Sequence, residues 1–96
     1  MEELLICPKC GTSYTHVVGV EYWHRTEDAK TGLHVDVFHG TFIVDDMMNG
    51  NPSFRRGAVV INFQCESCMA NGDESMRQLK LIQHKGQTFI EWEFPS

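Results

Sequence analysis

Apolar and polar positions alternate with a period of two along most of this chain. Val18, Val20 and Tyr22 interleave with Gly19, Glu21 and Trp23, which predicts a strand over Thr15–Trp23. Val35 and Val37 alternate with His34, Asp36 and Phe38, and Thr41–Val44 is rich in β formers. With His39-Gly40 as a tight turn, Leu33–Val44 reads as a hairpin. Asn49-Gly50-Asn51-Pro52-Ser53 is the densest cluster of turn formers and is expected to project from the sheet as a loop. Val59, Ile61 and Phe63 predict a strand running straight into Cys65. After a turn at Asn71-Gly72-Asp73, Leu79 and Leu81 share one face of a strand over Met76–Gln83. His84-Lys85-Gly86-Gln87 then turns into a last strand. There Ile90, Trp92 and Phe94 form an apolar face expected to belong to the core. No window carries a 3.6-residue apolar stripe, so helix content is expected to be low. The pattern as a whole predicts a mainly β fold, an antiparallel sheet of about five to seven strands.

Composition narrows the class. The chain has 96 residues, 42% of them hydrophobic, which suits one small globular domain over residues 1–96. Eight Lys/Arg against thirteen Asp/Glu give a formal charge of −5, which disfavours non-specific binding to phosphate backbones. The imbalance is local: residues 1–48 hold eight acids and three bases, residues 49–96 five of each. Any anion-binding surface therefore has to come from the second half. No stretch reaches the ~18 apolar residues of a membrane span, and Met1-Glu2-Glu3 does not resemble a secretory signal. The expected compartment is the cytoplasm, where thiols stay reduced.

Four cysteines carry the clearest chemistry. Cys7-Pro8-Lys9-Cys10-Gly11 and Cys65-Glu66-Ser67-Cys68 are two C-x-x-C pairs separated by 54 residues. Thiolates three positions apart can grip one ion from a tight turn, and two such turns face to face complete a closed four-sulfur shell. Pro8 presets the first turn and Gly11 accepts a positive φ. Met69 stands where the first pair has glycine, so the second turn is expected to differ in shape. Disulfides lack a secretory context, and a thioredoxin-like role needs a βαβ setting that is absent from the pattern. Cys7, Cys10, Cys65 and Cys68 are thus expected to bind one zinc ion, with iron possible in the same shell. A closed shell leaves no open position for metal catalysis.

These motifs resemble the zinc-ribbon (rubredoxin-like) family, in which each C-x-x-C sits at the tip of a β-hairpin. The 54-residue interval implies a sheet inserted between the two knuckles. The segments Gly50–Arg56 and Gln83–Trp92 are similar to small bacterial and phage zinc-ribbon proteins. The resemblance implies an interaction module for nucleic acid or protein more often than an enzyme.

Other residues carry weaker signals. His34, Asp36 and His39 cluster in sequence, but no third ligand or nucleophile is spaced to match, so they read as solvated strand histidines with His16, His24 and His84. An HNH-like nuclease pairs such zinc with a histidine on or beside a helix, and no helix is evident. Arg55 and Arg56, with Lys80, Lys85 and Arg77 as possible neighbours, are the candidate partner-binding cations. Trp23, Trp92, Tyr22 and Phe94 are assigned to core packing. The expected function is a non-catalytic, zinc-stabilised module for protein assembly or regulation, with no membrane and no small-molecule substrate. The alternative, a nucleic-acid-binding ribbon, requires Arg55, Arg56, Lys80 and Lys85 to converge on one face.

Overall fold

The alternating runs pair into one antiparallel sheet. The computed structural model describes residues 3–93 and contains β1 (Thr15–His24), β2 (Leu33–Phe38), β3 (Thr41–Asp45), β4 (Ala58–Cys65), β5 (Arg77–His84) and β6 (Gln87–Glu93). A five-residue helix, α1 (Glu66–Ala70), follows β4. The order across the sheet is β3-β2-β1-β4-β5-β6, antiparallel at every step. The fold is mainly β, as the periodicity implies.

Both expected hairpin turns form. His39-Gly40 (φ 48° and 82°) and Lys85-Gly86 (φ 50° and 76°) each place two successive residues in the left-handed region. That geometry matches the twist of the flanking strands. At the centre of the sheet the β1–β4 register slips between Val17 and Gly19. A Cβ at Gly19 would lie 2.6 Å from the Val37 carbonyl oxygen and 2.7 Å from the Phe38 ring, so β2 crosses here only because the residue is glycine.

The two sheet faces have different fates. On one, Trp23, Ala58 and Val60 are buried, with Met48 and Ile82 packed against them. The cover is the chain between β3 and β4, and its placement corrects the expectation of a projecting loop. Trp23 Nε1 donates to Asn49 O (3.3 Å), and Ser53 Oγ donates to Gln83 O (2.8 Å). Arg25 donates to Arg56 O (2.8 Å) and Ser53 O (2.9 Å). Turn formers here supply bends that lay the loop flat on the sheet. Phe54 stands clear of it, 90% exposed.

No described element packs over the opposite face. Registers and strand alternation place Val20 and Tyr22 of β1, Val35 and Val37 of β2, and Phe42 and Val44 of β3 on it. Val59 and Ile61 of β4, Leu79 and Leu81 of β5, and Ile90 and Trp92 of β6 continue it. Apart from α1 against β4, the substantial packing contacts among described elements run between neighbouring strands. Ile90 is 71% exposed and every described residue of β6 is exposed, which corrects the assignment of this strand to the core. Alternation marks which side chains share a face, not whether a second layer lies over it. Trp92 recovers part of its burial edge-on against Phe63, with ring centroids 5.4 Å apart. Phe94 lies outside the described residues.

Candidate metal centre

The two cysteine pairs reach one place from different local structures. The first lies in a turn ahead of β1, where Cys7 N donates to Thr12 O and Gly11 N to Cys7 O, both 2.9 Å. Gly11 has φ 80°, the left-handed conformation its position calls for. The second pair departs from the hairpin-tip arrangement. Cys65 ends β4 and caps α1 in extended conformation, its Sγ accepting from Cys68 N (3.4 Å). Met69 sits inside this short helix, so no positive φ is needed there. The β1–β4 ladder, with Thr15 opposite Cys65 and Glu66 N donating to Tyr14 O (3.0 Å), draws the two segments together.

The result is one cluster of four sulfurs. The Sγ atoms of Cys7, Cys10, Cys65 and Cys68 all lie within 4.8 Å of one another, with Cys10 and Cys65 only 3.3 Å apart. All four are free thiols; Cys10 is exposed and the other three are buried. A tetrahedral ion with bonds of ~2.3 Å holds its sulfurs about 3.8 Å apart, so the cluster can close around a single ion. Four soft donors suit zinc or iron.

The surroundings suit the negative charge that such a site carries. Burial pushes the Cys68 thiol up to about 12, with bonds to its neighbouring thiols acting the same way and Arg77 opposing them. Burial raises Cys65 also. At Cys7 burial is outweighed by hydrogen bonds from the backbone of Cys10 and Lys9, and the thiol is lowered to about 6. Metal binding at this cluster therefore displaces protons. Arg77, at the start of β5, is fully buried against Cys7 and Cys68. Its guanidinium donates to Asp73 Oδ2 (3.1 Å) and to Ser75 O, while Nε finds no hydrogen-bond partner. A buried cation with a spare donor fits a four-thiolate ion, whose formal charge is −2 with a divalent metal. Lys9 donates to the same Asp73 oxygen (2.6 Å), tying the first turn to the entry of β5. These bonds, that from Lys9 first, hold the Asp73 carboxyl well below the usual range. The pattern had grouped Arg77 with surface cations; its proximity to Cys68 through the β4–β5 pairing was the missing information.

Of the four candidate partner-binding cations, Arg55 and Arg56 share one station, while Lys80 and Lys85 stand elsewhere. Arg55 grips Asp28 through two bonds (2.9 and 2.7 Å) and lies 3.8 Å from Glu27, while Arg56 lies 4.0 Å from Glu27. Lys80, in mid-β5, pairs with Glu93, and Lys85 stands at the β5–β6 turn. Arg55 and Lys80 are thus paired with acids, and Arg56 lies at the limit of pairing with the Glu27 it shares with Arg55.

One histidine departs from expectation. His34 is only 12% exposed, and its partners are not Asp36 or His39. Nε2 lies 2.7 Å from Glu21 and Nδ1 2.8 Å from Asp45, while the ring stacks on Trp23 at 5.1 Å. Only the doubly protonated ring donates to both carboxylates. Burial alone would push its pKa down; the bonds to Glu21 and Asp45 prevail and raise it. The folded pKa lies above the ordinary 6.5, so the stabilisation is complete below that value and is lost as pH rises through the folded pKa. We expect the stability difference between wild type and His34→Gln, measured by urea unfolding, to shrink steadily above pH 6.5. A difference independent of pH would show that the cation is not what stabilises this contact.

The remaining histidines have modest settings: His16 is 3.1 Å from Glu66, His24 is 3.1 Å from the Tyr22 hydroxyl, His39 occupies the β2–β3 turn and His84 ends β5. α1, the one helix among the described residues, carries no histidine, and no described helix is long and apolar enough to cross a membrane. The cysteine cluster fits a zinc-ribbon-like site, but no protein-family model, curated protein or solved structure matches this chain.

Proposed function

We propose that this protein is a structural-zinc β domain that serves as a protein-interaction module in assembly or regulation, with no catalysis of its own. The four-sulfur cluster carries the reading, because it offers a closed shell whose role is to hold the chain in shape. A protein partner is favoured over nucleic acid by charge. Arg55, Arg56 and Lys80 face Asp28, Glu27 and Glu93, so little of the second half's basic character is left to meet phosphates.

The covering loop supplies the contact. It is pinned by Arg25, Asn51 and Ser53, so little ordering cost remains on binding. It presents Phe54 beside Arg55 and Arg56, and aromatic and arginine side chains are those that most often anchor interfaces.

Metal analysis of the purified protein should give about one zinc per chain. Replacing both Arg55 and Arg56 by Ala should leave zinc content and melting temperature nearly unchanged. The ion pairs lost are exposed, and the Arg56 carbonyl that holds Arg25 and Asn51 persists. Capture of the native protein partner should weaken. Unchanged capture would remove the loop from the binding surface, and a collapse of stability would make it scaffold.

A further inference from the structure

The uncovered sheet face is unusual in what it lacks as well as in what it shows. Between the cysteine end, where Arg77 is buried, and the far ends of the strands, its register positions hold no acid, lysine or arginine. The other face carries them: Glu21, Asp36, Asp45, Lys80, Glu91 and Glu93 alternate with the apolar set. A soluble monomer rarely leaves an apolar patch of more than a few hundred Å² in water.

We propose that this face is the interface of a homodimer, in which two copies pack sheet against sheet as a β-sandwich about a two-fold axis. The proposal rests on reading the domain as an interaction module, but uses the face opposite the Phe54 loop.

Area supports a second copy. A compact 11.0 kDa chain exposes about 5,600 Å², and this one exposes 6563 Å². The surplus of ~900 Å² is spread over the chain and exceeds the ~800 Å² each partner buries in a standard stable interface; this face contributes to it through Val37, Phe42, Val44 and Ile90. Charge supports it too. Each chain is formally −5, yet the charges flanking the strands point away from this face, so two copies meet without like charges opposed. Shape completes the fit, since two sheets of identical twist pack aligned, about 10 Å apart, with interdigitated apolar side chains. Phe42 and Val44 on β3 and Ile90 and Trp92 on β6 extend the contact to both edges. Isologous pairing of this kind is the commonest route to an oligomer.

The test is the mass in solution of the zinc-loaded full chain, by sedimentation equilibrium up to about 100 μM. Wild type should sediment at twice the chain mass of 11.0 kDa. Phe42→Glu and Ile90→Glu, both at positions exposed in the single chain, should each weaken dimerisation at least tenfold while keeping zinc content and the near-ultraviolet dichroism of the fold. Phe54→Glu, on the other face, should leave the dimer intact. A dimer untouched by both face substitutions, or broken equally by Phe54→Glu, overturns the proposal. A wild-type monomer overturns it too, in favour of a lipid surface if the protein floats with phosphatidylcholine vesicles and of a different protein if it does not. Failure here leaves zinc content and partner capture through the loop unaffected, so the two readings fall separately.

Discussion

Replacing Cys65 with Ser should abolish stoichiometric metal binding and unfold the domain. Cys65 is fully buried, ends β4, caps α1 through its Sγ, and lies 3.3 Å from Cys10. Apparent binding energies of structural zinc are ~10–16 kcal/mol, as large as the ~5–15 kcal/mol stability of a whole small domain. The buried sets elsewhere are small, so little is present to compensate. Among the described residues Cys7, Cys65 and Cys68 form one buried cluster and Trp23, Ala58 and Val60 another, with Phe63 buried besides. Elemental analysis and a thermal melt of the variant check this, and a chelator should have the same effect on wild type. A cooperatively melting, metal-free Cys65→Ser protein would show that the sheet stands without its ion.

The second large effect is expected at Trp23. Its indole is 2% exposed, stacks on His34, donates to Asn49 O and is the floor on which the covering loop rests. Removing a buried aromatic of this size costs about 3–5 kcal/mol. In a domain of fewer than 100 residues that corresponds to a fall in melting temperature on the order of 20 °C. Trp23→Ala should also release the β3–β4 loop, read as faster amide exchange at Gln83 and Arg56. The Gln83 amide donates to Gly57 O (3.1 Å) and the Arg56 amide to Ser53 Oγ (3.0 Å), and both bonds depend on the loop's lying flat. A melting temperature within a few degrees of wild type would place the core elsewhere.

The strands were legible because each alternates strictly enough to declare itself. Thr15–Trp23 differs from β1 by one residue, and the turns at His39-Gly40 and Lys85-Gly86 follow from residues that reach positive φ. The clustering of the four cysteines was legible from their spacing. Three things were not. α1 spans five residues, too short for a 3.6-residue period to appear. The setting of His34 depends on side chains 13 and 11 residues away, which meet it only once β1, β2 and β3 are in register. The exposure of β6 depends on there being no second layer, and a strand's own sequence records its faces but not what lies across from them.

The topology also sets an order of events. An ion held by Cys7, Cys10, Cys65 and Cys68 ties the chain into a closed ring of β1 through β4, with β5 and β6 outside it. Within the ring the β1–β4 ladder is the distant pairing, and bringing such ends together is the slow, entropy-limited part of building a sheet. An ion captured early would shorten that search for the first four strands. The last strand, β6, joined to β5 by a two-residue turn and exposed at every described residue, would zip on afterwards, while β5 stays bound to the ring through its β4 ladder and the buried Arg77. An ion there would thus divide one continuous sheet into a part inside the closed ring and a part annexed to it.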